Sequence, residues 1–306
     1  MHGSAVTVLG AASSIGIRPY DDGTQRRLDL APNALREQGL VARLHARDLG
    51  DVSAPPYTDF ARPAGRPRNE AAVAAYSRTL AQRVAAALTD DAFVVTLGGD
   101  CSIVLGCLLG VRQRHRRVGL AYIDAHADFA TPDVSRTGSV ASMCLALAAG
   151  RGDSILARLA GTEPLVRLDD LIVIGRRDDA DGPIYGQDAL RELGISDFNQ
   201  SVIAQRGVTD VAAAAIAHLT RAGLEGFWIH VDADVLDPSV VPAVDSPEPG
   251  GLSAEQLTIL VRSLVRHPSA LGLELTIYDP QLDPDKSSAK RLSAILEQVF
   301  TTDIQH

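Results

Sequence analysis

The sequence predicts an α/β fold, a parallel sheet covered on both faces by helices. Two observations point there. Short apolar runs alternate with helical patterns along all 306 residues, as a parallel sheet built from βα units requires. Each conspicuous polar cluster also follows the end of an apolar run, and in such folds ligands sit at the carboxyl ends of strands. With 46% hydrophobic residues, the chain can fill one large core or two closely fused halves.

The elements follow in order. Residues 6–9 read as a first strand closed by glycine. Residues 32–39 suggest a helix with proline in its first turn and glycine past its end. Residues 44–49 read as a second strand, and the proline-rich stretch 52–68 as a loop. Asn69 is positioned to cap a helix on which Val73, Tyr76, Leu80, Val84 and Leu88 follow three-four spacing. Strands are then expected at 93–97, 118–123, 171–174, 227–231 and 271–277. Helices are expected at 103–112 and at 209–222, the latter closed by Gly223. Ser253 and Gln256 make a capping-box pattern ahead of Leu257, Leu260, Val261, Leu264 and Val265. Residues 292–300 lie on a final amphipathic helix. There is no internal repeat and no low-complexity segment.

Composition narrows the function. A net charge of -9 argues against a nucleic-acid partner, which selects a basic face. No apolar run approaches the roughly 18 residues that span a bilayer. The first residues lack the basic region of a signal peptide. Cys101, Cys107 and Cys144 make no disulfide framework, so a cytoplasmic protein acting on a small molecule is expected.

The stretch 121–128, AYIDAHAD, places Asp124, His126 and Asp128 at alternate positions after an apolar run. On an extended chain these side chains share one side. A second cluster, Asp232 and Asp234, follows the run in FWIHVDADVLDP at 227–238. Alone, either also admits a reading as a solvated loop or turn. Together they supply four carboxylates and an imidazole, a donor set suited to a hard or borderline divalent pair such as Mn(II).

With GGDCS at 98–102, DAHAD at 124–128, DADVLDP at 232–238 and PEPGGLS at 247–253, the chain resembles the arginase/agmatinase (ureohydrolase) family. The resemblance implies a three-layer α/β/α fold with a central parallel sheet, forming a single arginase-like catalytic domain over residues 1–306. It implies two Mn(II) ions and a metal-bridging hydroxide that attacks a guanidino carbon, releasing urea and an amine. The matching ligands are Asp124, His126, Asp128, Asp232 and Asp234. Asp128 would also hold the hydroxide, and Glu274 in LGLELTIYDP would pair with the guanidino group.

Three positions depart from the family pattern. Cys101 replaces the histidine of G-G-D-H-S. It is either a sixth ligand, softer than imidazole and favouring zinc or iron, or a buried apolar thiol. Ala141 stands where arginases carry a histidine that passes a proton to the leaving amine. His230, on the strand side of Asp232, is a partner that orients ligands, a substitute proton donor, or a packed core residue. For substrate contacts the resemblance implies Thr137, Ser139 and Ser246, with Asp179 or Asp181 meeting an α-ammonium group. An acidic solvated loop is the alternative for that last pair, and Ala130 replaces an asparagine of the family.

Within the family this pattern is similar to the Nω-hydroxy-L-arginine amidinohydrolase of D-cycloserine biosynthesis, an antibiotic pathway, which releases hydroxyurea and L-ornithine. That reaction is the expectation. An ordinary ureohydrolase acting on arginine, agmatine or a guanidino acid, and a non-catalytic metal-binding protein on the same fold, are the alternatives. The chain stops at His306, shortly after its last helix, so the tail through which arginases trimerise is expected to be missing and a monomer is expected.

Overall fold

The described residues form eight strands, the central ones from apolar runs. They are β1 (Ala5–Ala12), β2 (Arg47–Ser53), β3 (Ala92–Leu97), β4 (Gly119–Ile123), β5 (Leu171–Ile174), β6 (Ser196–Phe198), β7 (Phe227–Asp232) and β8 (Ala270–Thr276). A computed structural model describes residues 5–62, 64–89, 92–181 and 186–301. All neighbouring strands run parallel in one sheet, in the order β2-β1-β3-β8-β7-β4-β5-β6. Every residue of β4, β5 and β7 is buried, which requires both faces to be covered.

Two groups of helices provide that cover. One contains α3 (Glu70–Ala87), α4 (Ile103–Arg112) and the short α5 (Cys144–Ala148). The other contains α1 (Ala31–Glu37), α2 (Leu40–Arg43), α8 (Val208–Leu219), α9 (Ala254–Val265) and α10 (Ser287–Phe300). Two more short helices, α6 (Gln187–Glu192) and α7 (Gln200–Arg206), flank β6. The three-layer α/β/α architecture is therefore present. No described helix is long and apolar enough to cross a membrane.

Strand order places the site. β3, β8, β7 and β4 are distant in sequence but adjacent in the sheet, so the segments leaving their carboxyl ends converge. Register adds detail. Tyr122 pairs with His230, His230 with Glu274, and Glu274 with Thr96. Residues in register share a face, so these four side chains form one row across the sheet. Asp232 and Thr276, also in register, form the next row toward the strand ends.

Several expectations change. The second strand is 47–53, not 44–49. Leu44 is buried at the end of α2, and β2 is an exposed edge whose sequence, RDLGDVS, carries no apolar pattern. The three-residue edge strand β6 was invisible for the same reason. Asn69 does not cap α3. Its backbone is left-handed at φ 50°, and its side chain instead ties the preceding loop down. Oδ1 accepts from the amides of Thr58 and Asp59, and Nδ2 donates to the Ile15 carbonyl. The capping box at Ser253 and Gln256 forms with both bonds.

Candidate metal centre

The first ligand segment depends on its glycines. A Cβ on Gly98 would lie 2.0 Å from the Leu275 carbonyl, and one on Gly99 would lie 2.6 Å from that of Ser13. Only glycine lets the end of β3 pass this close to β8 and β1. Asp100 fixes the turn by accepting from Ser13 Oγ and from the amides of Gly16 and Ser102. Cys101 is then aimed inward, its thiol donating to Asp232 Oδ2 at 2.8 Å.

The other segments are braced from below. Asp124 Oδ1 accepts the His126 amide at 2.7 Å, and Asp232 Oδ1 accepts the Asp234 amide at 2.8 Å. Asp178 accepts the Ala127 amide, and the Arg177 guanidinium binds the carbonyls of Asp234, Val235 and Glu248. Asp128 adopts a left-handed φ of 46°, a conformation aspartate tolerates better than most residues. Its Oδ2 accepts the Tyr122 hydroxyl at 2.7 Å.

Two donor groups result. Cys101, Asp124, His230 and Asp232 each offer one atom, as do Asp124, His126 and Asp234, with all atoms of a group within 4.8 Å of one another and every residue buried. Asp124 belongs to both. Asp128 belongs to neither group but lines the adjoining cavity.

Electrostatics mark the cluster as a cation site. Burial, reinforced by Asp234, raises the Asp124 carboxyl above its ordinary pKa. Burial pushes Asp128 and Asp232 well up too, with Asp124 and Asp234 respectively adding repulsion. Burial likewise drives the Cys101 thiol well up, with Asp232 next. Asp234 resists burial and sits low because His126 Nδ1 is 3.2 Å away. Asp124 Oδ2 is buried with no hydrogen-bond partner. Among the described residues no lysine or arginine is seen to pair with these carboxylates; the histidines near Asp124 and Asp234 are His126 and His230, while Asp128 and Asp232 accept from Tyr122 and Cys101. Unpaired buried carboxylates cost several kcal/mol each, and a divalent pair removes that cost. The donors fit one.

Above the cluster lies a cavity of about 160 Å³. Cys101, His126, Asp128, Asp232 and Asp234 reach it from below, and Thr137, Ser139, Ala141, Ser246 and Ile277 line it with Arg18, Arg26 and Arg136. The Ser139 hydroxyl accepts the Arg18 amide, and Arg26 is ion-paired with Asp245.

Residues 6–301 match the Arginase family pattern. The arginase of Bacillus caldovelox is 31% identical, over 94% of this chain and 97% of its own length. The arginase of Brevibacillus brevis is 30% identical over the same shares. The solved B. caldovelox arginase superposes with a TM-score of 0.87 at 28% identity, covering 99% of this chain and 100% of that one.

The chain belongs to the arginase family.

Three residues of this arginase-family chain that the sequence offered as catalytic or substrate-binding lie away from the cavity. Glu274 does not reach the cavity. It lies fully buried in the row below, its Oε1 2.9 Å from His230 Nδ1. The residue of that segment that does face the cavity is Ile277, three positions on, where the strand has ended and the backbone turns left-handed at φ 65°. His230 is also fully buried beneath the cavity, and burial lowers its pKa to about 4. A neutral imidazole away from the substrate space does not fit a proton donor. Asp179 points away from the cavity, is largely exposed, and pairs with Arg176. The side chain of Asp181 lies outside the described residues. It is Asp178, not considered individually in the sequence, that braces the site.

Tyr122 was missed. Its signal was the alternation already used for the ligands, because Tyr122 and Asp124 share one face. Ile277 gave no signal, since an isoleucine closing a strand reads as core.

Proposed function

We propose that this arginase-family ureohydrolase hydrolyses Nω-hydroxy-L-arginine to hydroxyurea and L-ornithine. One observation carries the reading. Among the described residues lining the cavity, none outside the ligand cluster can shuttle a proton near neutral pH. Ala141 has no titratable side chain, Asp245 is held by Arg26, and arginine side chains do not deprotonate. A leaving alkylamine needs such a proton. An N-hydroxyguanidine carries a hydroxyl that relays one, and it is less basic than a guanidinium. The apolar Ile277 wall supports the same choice, because it offers a fully charged guanidinium no partner.

With a divalent pair held by Asp124, His126, Asp128, Asp232, Asp234 and Cys101, the site supplies Lewis acidity and a water whose pKa is drawn toward neutrality. The chain's own groups do the rest. Asp128, its Oδ2 held by Tyr122, keeps Oδ1 for the proton of the attacking water. Thr137, Ser139 and Ser246 offer hydroxyls to the amino-acid end of the substrate.

Product identification tests this. Manganese-loaded protein is incubated separately with Nω-hydroxy-L-arginine, L-arginine, agmatine and guanidinobutyrate. The proposal expects hydroxyurea and ornithine in equal amounts from the first. Faster release of urea from any of the other three contradicts it.

A further inference from the structure

We propose that His230 is itself a metal ligand, through Nε2, supplying the imidazole that Cys101 removes from the site. The inference rests on the metal centre described above but not on the identity of the substrate.

The argument begins with two orphaned atoms. His230 Nε2 and Asp124 Oδ2 are both buried without a hydrogen-bond partner. They face one another at 3.9 Å, too far for a hydrogen bond. Leaving two such groups unsatisfied carries a desolvation cost for each. Two donors that share one ion at about 2.0–2.2 Å each stand roughly 3–4 Å apart, and 3.9 Å falls within that span. A cation between them satisfies both.

The opposite side of the ring is arranged accordingly. Nδ1 lies 2.9 Å from Glu274 Oε1; with the Glu274 carboxylate accepting there, the ring hydrogen sits on Nδ1 and the Nε2 lone pair is left toward Asp124. Ligating histidines recurrently donate their second nitrogen to a carboxylate, which fixes the tautomer and strengthens the ligand. Strand register enforces the contact, because His230 and Glu274 are direct partners on β7 and β8. Tyr122, the register partner on β4, stacks flat on the ring at 4.1 Å and 3° between planes. The imidazole is thus clamped at Nδ1 and on one face. A histidine that merely filled space would need neither.

The assignment also balances the centre. His230 joins Cys101, Asp124 and Asp232, while His126 joins Asp124 and Asp234. Each ion then has one imidazole, with Asp124 shared.

Two measurements test the proposal on the intact protein. The first is proton NMR of Co(II)-loaded protein, in which each ligating imidazole gives a strongly shifted N–H resonance. Two such signals are expected, from His126 and His230, and a single one overturns the proposal. The second is calorimetric titration with Mn(II). His230→Asn is expected to weaken one of the two sites by more than about 100-fold. Glu274→Gln, which alters only the outer partner, is expected to stay within about 10–100-fold. Titration curves for His230→Asn within twofold of wild type overturn it, as does a wild-type protein that takes up no metal. If His230→Asn does not fold, the wild-type NMR count decides alone. Neither readout involves turnover, so a protein with two imidazole signals and no activity on hydroxyarginine would refute the substrate while leaving the ligand in place.

Discussion

Tyr122 donates its hydroxyl to Asp128 Oδ2 at 2.7 Å while its ring lies against His230, the centroids 4.1 Å apart. One buried side chain on β4 therefore orients two residues of the centre. Tyr122→Phe keeps the ring contact and removes only the donor. The variant should lose about 1.5–3 kcal/mol of stability, the value of a hydrogen bond to a charged group. Its kcat should fall roughly 10–100-fold, as for other partners that orient metal-site residues, with KM little changed. Urea unfolding and steady-state kinetics check the two effects separately.

Cys101 Sγ approaches Asp232 Oδ2 at 2.8 Å within the group of four candidate donors. A sulfur donor favours softer ions than imidazole does. Cys101→His is expected to shift the zinc-to-manganese preference toward manganese by at least about tenfold, the direction set by donor softness. Dialysis against equal concentrations of both ions, followed by metal analysis, measures the ratio. No change would mean the sulfur is not a donor.

Ile277 occupies a left-handed backbone at φ 65°, a genuine outlier for a β-branched residue, and its amide is tied to the Gly99 carbonyl at 2.9 Å. With Ile17 and Ala141 it forms the apolar part of the cavity lining. Ile277→Glu would place an unpaired carboxylate there. The account predicts that kcat/KM for arginine rises relative to hydroxyarginine by about tenfold, equivalent to about 1.4 kcal/mol. Paired kinetics on the two substrates read this directly.

Glu70 begins α3, with Oε1 accepting from Ser154 Oγ at 2.7 Å and the Ile155 amide at 3.0 Å, and it pairs with Arg66. Burial works to raise its pKa, but these bonds hold it below the ordinary 4.5. A carboxyl depressed on folding contributes stability that is complete above its unfolded value and is lost as pH falls through its folded value. Glu70→Gln should therefore be less stable near neutrality, by on the order of 1 kcal/mol after solvent screening at Arg66. Below pH 4.5 its curve should converge on wild type. Urea midpoints across the acid range give the comparison.

Much of this was legible in the sequence. Strands β3, β4, β5 and β7 are buried along nearly their whole length, so each read as a largely apolar run, and the ligand clusters after β3, β4 and β7 stood out against it. The edges β2 and β6 were not legible, because an edge strand is held by its neighbour's backbone and needs no apolar pattern. Within the site, parity along a strand found Asp124 and His126, but cross-strand register is a tertiary fact. The row Tyr122–His230–Glu274 exists only because β4, β7 and β8 are neighbours. For that reason the depth of Glu274, expected at the substrate from the family resemblance, was not legible, and Ile277 read only as the end of a strand.

The most direct test is ornithine release from Nω-hydroxy-L-arginine and from L-arginine, measured side by side on manganese-loaded protein. The account predicts a kcat/KM ratio of at least about 100 in favour of the hydroxylated compound, in line with the effect of one general acid. Equal rates on the two would contradict it, because the cavity would then supply the proton that its lining residues do not provide.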